Sequence, residues 1–101
     1  MAVITNDATK ATTFSGEYKM LSMYNLAIAS ASDTMTLTFA ANGMSEIQNV
    51  IVCPNAGMDA AFSAISAEFS GLVITIVSTE ADGTASTAWT DTTCNLIVIG
   101  K

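Results

Sequence analysis

The chain has 101 residues, of which 50% are hydrophobic and 12% are charged, and its formal net charge is −6. This length indicates one domain, and the apolar content excludes a disordered chain. The basic residues are Lys10, Lys19 and Lys101, with no arginine and no histidine. The clustered cations that bind nucleic acid or anionic membranes are therefore missing. Without histidine, Ser-His-Asp and Cys-His catalysis are excluded, and we expect neither an enzyme nor a cofactor.

No apolar run approaches the roughly 18 to 20 residues that span a bilayer. The first ten residues lack a basic start followed by a long hydrophobic region, so no signal peptide is expected and synthesis in a cytosol is predicted. In that compartment Cys53 and Cys94 are expected to be reduced and buried, with a disulfide as the alternative. So few charges on a small protein favour an assembly in which neighbours cover part of the surface.

Residues 1–13 are small and polar and have no clear period. They are predicted to form an extended N-terminal arm, and residues 14–101 a single β-rich domain. The arm could be frayed or could reach a neighbouring molecule. For the second case, Ala2, Val3 and Ile4 are candidate residues of a protein interface.

The first predicted strand of the domain lies within residues 14–30. If this segment is extended, one face carries a mostly apolar or aromatic set: Tyr18, Met20, Ser22, Tyr24, Leu26 and Ile28. A helix is the alternative, because Met20, Met23, Tyr24 and Ala27 also fit helical spacing.

The clearest strand follows, where Met35, Leu37, Phe39 and Ala41 alternate with Thr34, Thr36, Thr38 and Ala40. Asn42-Gly43 then predicts a hairpin. A three-residue, bulged loop is preferred because it sets Phe39 opposite Ile47 and Met35 opposite Ile51. Residues 47–53 would be the partner strand, which Pro54 stops by removing a ladder donor.

Residues 58–70 are ambiguous. Met58, Phe62, Ile65 and Phe69 recur at helical spacing, with Asp59 in the first turn and Gly71 beyond the end. The same stretch also alternates imperfectly, as a strand would. A short helix over about 58–70 is the preferred interpretation.

Two β-branched runs dominate the last third: Leu72-Val73-Ile74-Thr75-Ile76-Val77 and Leu96-Ile97-Val98-Ile99. Strands that are apolar on both faces are typical of the centre of a sheet or sandwich. Between them, Asp82-Gly83 predicts a two-residue hairpin turn that sets Ile76 opposite Trp89. Trp89 is then a core or half-core residue, and the alternative is a recognition residue at an interface. The predicted fold is mainly β, an antiparallel sandwich or barrel-like domain.

Glu80, Asp82 and Asp91 lie in polar segments near this hairpin and could share a hard cation such as calcium. The spacing of an EF-hand is absent, so solvated turn residues are the preferred interpretation. No metal site is predicted.

The sequence resembles the small virion proteins of tailed bacteriophages, in particular head decoration or cement proteins. The resemblance lies in the N-terminal arm, in Ala31-Ser32-Asp33-Thr34-Met35-Thr36-Leu37-Thr38-Phe39 leading to Asn42-Gly43, and in residues 71–77 leading through Ala81-Asp82-Gly83 to residues 96–101. No single motif carries it, so no functional residue is transferred.

The resemblance implies a β-rich virion protein, often trimeric, that binds the major capsid protein on the outside of the head and stabilises the shell. Other copies of the chain would be further partners. The alternative is a tail, fibre or adhesin-like module that binds a host ligand through Trp89 and the turn at Asp82.

Overall fold

The computed structural model describes residues 2–56, 62–80 and 93–101. Within these ranges the chain forms eight strands and one short helix, arranged as a β-sandwich rather than a closed barrel. The elements are β1 (Ala2–Val3), β2 (Thr12–Ser15), β3 (Tyr18–Ala27), β4 (Ser32–Thr36), α1 (Phe39–Asn42), β5 (Ile47–Ala56), β6 (Phe62–Ser70), β7 (Val73–Glu80) and β8 (Thr93–Gly100). The predicted mainly β class is confirmed.

The strands form two sheets of four. Sheet I has the order β1-β4-β7-β6, and sheet II has the order β2-β3-β8-β5. All pairs are antiparallel except the parallel pair of β1 with β4. The two apolar runs of the last third lie in β7 and β8, and each is an inner strand of its sheet. Their prediction as central strands is confirmed.

The core lies between the sheets and is built from alternate residues of the inner strands. Ile74 and Ile76 of β7 face Leu96 and Val98 of β8 across this core, and all four are buried. Further buried side chains come from the connecting segments, among them Ile4, Leu37 and Met44. At the same depth lies Asp33, whose carboxylate accepts a hydrogen bond from the amide of Ala29 at 2.7 Å.

The predicted helix over about 58–70 is wrong where the structure describes it, because β6 occupies Phe62–Ser70. This strand pairs with β7 along its length, from Phe62 opposite Glu80 to Ser70 opposite Val73. It is an edge strand with one half-buried face that holds Ile65 and Ala67. Small and half-exposed residues weaken the alternation, and so helical spacing was the stronger signal.

The hairpin predicted at Asn42-Gly43 is also wrong. β4 ends at Thr36 and pairs with β1 and β7, and β5 pairs with β8 in the other sheet. Between them lies α1, whose first turn is capped by the Thr38 hydroxyl, an acceptor for the amide of Ala41 at 3.0 Å. Gly43 ends this helix with φ +72°, and its amide donates to the carbonyl of Phe39.

Two smaller expectations are corrected. Ile76 has Asp33 and Ala67 as its neighbours on the two sides, so the register that set it opposite Trp89 is wrong; Trp89 and the predicted turn lie outside the described residues. Pro54 does not stop β5, which continues through a register shift to Ala56.

The segment that connects β1 to β2 crosses from sheet I to sheet II. The amide of Ile4 donates to the carbonyl of Thr34 in sheet I at 2.7 Å, and the Ile4 side chain is buried in the core with 6% exposed. Further along, the amide of Ala11 donates to the carbonyl of Asn42 at 2.8 Å. In this molecule residues 4–11 therefore lie against the domain and bridge its two sheets.

Candidate interaction surface

The outer face of sheet II is the candidate surface. Its outward side chains alternate with the buried ones along β3, β8 and β5. Most of them are aromatic or apolar: Tyr18, Met20, Ser22, Tyr24, Asn49, Ile51, Cys53, Asn95, Ile97 and Ile99. A broad apolar sheet face that is partly open to solvent is typical of surfaces that bind a partner.

Strand register makes the apolar part of this face continuous. Met20 of β3 lies opposite Ile99 of β8, and Ile97 of β8 lies opposite Ile51 of β5. Cross-strand neighbours on one face are in contact distance of one another. Ile51 is 49% exposed on the outermost of these strands. The result is an apolar band that runs across three strands.

One end of the outer face is charged. Lys101 pairs with Glu17 at 3.1 Å, and its ammonium group lies 5.7 Å from the centre of the Tyr18 ring. The hydrogen bond to Glu17 raises the pKa of Lys101, and the negative charge of Glu17 adds to the effect. Because the pair is solvent-exposed, it contributes little to stability. Beyond this end, the outward positions that the structure describes on β3, β8 and β5 hold no charged residue.

The opposite end carries a cluster of side-chain amides. Nδ2 of Asn55 donates to Oδ1 of Asn25 at 2.7 Å and to Oδ1 of Asn95 at 2.9 Å, and the hydroxyl of Thr93 donates to Oδ1 of Asn55. We call these four residues the amide cluster. Asn25 lies at a bulge of β3 with φ +57°. Its backbone N–H donates to Oδ1 of Asn95. Asparagine tolerates this left-handed conformation better than most residues.

Tyr24 stands beside the amide cluster, because it occupies the same bulge as Asn25. Its side chain is 68% exposed. An exposed aromatic ring next to amide donors and acceptors can stack on a flat apolar surface while the amides bind polar groups at its rim.

The outer face of sheet I differs in character. Its outward positions on β4, β7 and β6 are mostly serine and threonine: Ser32, Thr34, Thr36, Ser66, Glu68, Ser70, Val73, Thr75 and Val77. Hydroxyl groups at such a face can donate to water and accept from it. Among the side chains that the structure describes, the two faces of the sandwich therefore differ, and the broad apolar band lies on sheet II.

Of the residues predicted for an interface, Ala2 and Val3 form β1, opposite Asp33 and Thr34 of β4. The Val3 side chain is 82% exposed, whereas that of Ile4 is buried in the core. Trp89 lies outside the described residues, as do Asp82 and Asp91. Ala2 and Val3 therefore lie in sheet I and Ile4 in the core, and none of the three belongs to the outer face of sheet II.

Cys53 and Cys94 are both free thiols. Cys94 is buried as expected, but Cys53 is exposed on β5, so the expectation of burial is wrong for that residue. Burial raises the pKa of the Cys94 thiol to about 11, with smaller contributions from the charges of Asp33 and Cys53. In the described ranges no three histidine, cysteine or acidic residues come together as metal ligands.

Little in the sequence indicated the amide cluster. Asn25, Asn55 and Asn95 are far apart in the chain, and only the β3-β8-β5 order of sheet II brings them together. The apolar band was partly visible, since Tyr18, Met20 and Tyr24 share a face in the predicted strand. The sequence could not show that this face of β3 points outward, because the other face of the strand is also apolar.

Comparisons of the chain with protein-family models, with curated proteins and with solved structures found no match. Among the residues described, no helix is long and apolar enough to cross a membrane.

Proposed function

We propose that the chain is a structural virion protein that decorates the outside of a tailed-phage head and reinforces the shell. The observation that supports this role is the apolar band on the outer face of sheet II. A protein whose work is to bury surface needs a broad apolar face with few charges to desolvate. Tyr24, Ile51, Ile97 and Ile99 provide such a face on a rigid sheet.

In this role the apolar band docks on the major capsid protein, and many copies bind the same lattice. Each bound copy favours the assembled over the dissociated state by mass action. The polar face of sheet I then remains in solvent. The resemblance of the sequence to head decoration proteins supports the same proposal.

The test is co-sedimentation with purified heads of the phage that encodes the chain. Ile51→Ser removes an exposed apolar side chain from the band and should weaken binding to heads about tenfold or more. Val73→Ser is the matched control, since Val73 is a partly exposed aliphatic residue on the outer face of sheet I. Equal binding by wild type and Ile51→Ser, or failure of the wild-type chain to bind heads, would contradict the proposal.

A second candidate is a tail, fibre or adhesin-like module. The observation that favours it is the exposed Tyr24 ring beside the amide cluster, an arrangement that suits polar ligands with a flat apolar side, such as sugars. Here Tyr24→Ala should reduce adsorption to host cells and leave head stability unchanged. The sequence-based version of this candidate assigns the same role to Trp89, and Trp89→Ala tests it separately.

A further inference from the structure

The four sheet edges of the sandwich are protected to different degrees. β1 has two residues, and β2 has four residues with a register shift between Thr13 and Ser15. β5 is longer, but the side chain of Asn49 accepts the amide hydrogen of Val50 at 2.9 Å, and Pro54 has no amide hydrogen. Short strands, bulges and proline are the usual means by which proteins block edge-to-edge pairing.

β6 has such a protection only at its start, where a register shift separates Phe62 from Ala64. It is an edge strand of nine residues, and from Ala64 to Ser70 its pairing with β7 is regular. It contains no proline and a single charged residue, Glu68. Ser66, Glu68 and Ser70 are exposed, and Phe69 is 40% exposed. β5 of the same chain approaches β6 on this side of the sandwich, but no ladder joins the two strands.

The turn that follows β6 defines which backbone groups point outward. Gly71 and Leu72 form a two-residue loop between Ser70 and Val73, and Gly71 has φ +58°, as in a type II′ hairpin. The residues that flank such a loop exchange both backbone hydrogen bonds, and the bonded pairs then alternate along the ladder. Ser66, Glu68 and Ser70 therefore bond to β7. The amide and carbonyl groups of Ile65, Ala67 and Phe69 point away from it.

We propose that β6 pairs with β6 of a second copy, antiparallel and about a two-fold axis at Ala67, so that two sheets I join into one. In this register Ile65 lies opposite Phe69 of the second copy, and the outward groups of three residue pairs form about six backbone hydrogen bonds. Ser66 lies opposite Glu68 of the second copy, so no like charges meet.

Neighbouring registers are less favourable. An axis at Glu68 sets two glutamates face to face, and an axis at Ser66 separates Ile65 from Phe69 of the second copy. The net charge of −6 on each chain opposes association in general. Pairing along β6 limits that repulsion, because the strand holds one acid, Glu68, and the two copies of Glu68 do not lie opposite each other.

This pairing does not depend on the proposed binding to phage heads, and it uses a different part of the surface. It predicts a dimer, whereas the resemblance to decoration proteins implies a trimer. The mass of the protein in solution separates the two.

The experiment is light scattering on a sizing column over a range of concentrations, with the protein free of any phage component. As concentration is raised, the measured mass of the wild-type protein should increase from 10.4 kDa toward twice that value. Ser66→Glu places a glutamate opposite Glu68 in two symmetric pairs and should raise the dissociation constant about tenfold, whereas Ser66→Lys should lower it. Thr36→Glu is the matched control, because Thr36 is exposed on the same outer face but lies on β4.

Amide hydrogen exchange gives a second measurement that does not rely on variants. The amides of Ile65, Ala67 and Phe69 should become protected as concentration rises, while those of Ser66 and Glu68 are protected throughout by β7. A wild-type chain that stays at 10.4 kDa at the highest concentration would overturn the proposal. So would a trimer, or a dimer whose stability is the same in all three variants.

Discussion

Asn6 and Asn42 are joined by two hydrogen bonds between their side chains. Nδ2 of Asn6 donates to Oδ1 of Asn42 at 2.7 Å, and Nδ2 of Asn42 donates to Oδ1 of Asn6 at 3.0 Å. Asn42 is fully buried. Its Nδ2 also donates to the carbonyl of Thr9 at 2.9 Å, and its Oδ1 accepts from the backbone N–H of Thr38 at 3.1 Å. This residue therefore ties the segment between β1 and β2 to the end of helix α1.

Asn42→Asp should destabilise the fold. The substitution keeps the size of the side chain but removes both donated hydrogen bonds, and it sets a carboxylate oxygen against the carbonyl of Thr9 and Oδ1 of Asn6. Leaving buried polar groups unpaired and burying a charge should lower the free energy of unfolding by about 3 kcal/mol. Denaturant titration at pH 7 measures this loss.

Gln48→Glu is the control for that prediction, since it makes the same amide-to-acid change at an exposed position of β5. Its effect should remain within about 0.5 kcal/mol. If Asn42→Asp were as mild as the control, the hydrogen bonds of Asn42 would contribute nothing to the attachment of the N-terminal segment.

Gly100 is required by a close approach of two backbones. A Cβ atom at this position would lie 1.9 Å from the carbonyl oxygen of Glu46, and that oxygen also accepts the amide hydrogen of Lys101 at 2.9 Å. Gly100→Ala should therefore separate the end of β8 from the residues before β5. We expect a loss of about 2 to 4 kcal/mol in the free energy of unfolding, measured by denaturant titration.

Gly16→Ala separates this steric effect from a conformational one. Gly16 has φ +58° and no atom within 4 Å of an added Cβ, so alanine there is strained only by its left-handed backbone. That strain amounts to about 1 to 2 kcal/mol. A Gly100→Ala variant as stable as wild type would show that Glu46 moves aside easily.

The sequence predicted the strands better than their partners. The runs in β7 and β8 were identified as central because both of their faces are apolar, and their positions in the sheets confirm this. Their neighbours could not be predicted, since the chain changes sheet between β3 and β4 and again between β4 and β5. Local register arguments assume that consecutive strands pair, whereas β4 and β5, and likewise β7 and β8, lie in different sheets.

Two segments were misread for physical reasons that can be named. Asn42-Gly43 is a strong hairpin signal, yet Gly43 in its left-handed conformation ends helix α1. The same pair of residues serves both structures. The sequence signal for the helix was Thr38, a good N-cap residue, which instead read as part of an alternating strand. In β6 the alternation of apolar and polar residues is weak, because Ala67 is small and Phe69 is partly exposed.

The buried thiol of Cys94 should make stability fall at high pH. Its pKa is raised from 9.0 to about 11, first by burial and then by the negative charge of Asp33. Between these two values the unfolded chain loses the thiol proton and the folded chain keeps it. The contribution of this group is therefore fully present below pH 9 and is lost as pH rises toward 11, by roughly 2 to 3 kcal/mol.

Denaturant titrations from pH 8 to 11 on wild type and on Cys94→Ala measure this effect. All other groups are common to both proteins, so only the difference between the two curves reports on Cys94. That difference should change by the expected amount between pH 9 and 11. Cys53→Ala is the matched control, because Cys53 is exposed and its removal should leave most of the pH dependence in place. Parallel curves for wild type and Cys94→Ala would mean that the folded protein admits the thiolate at little cost.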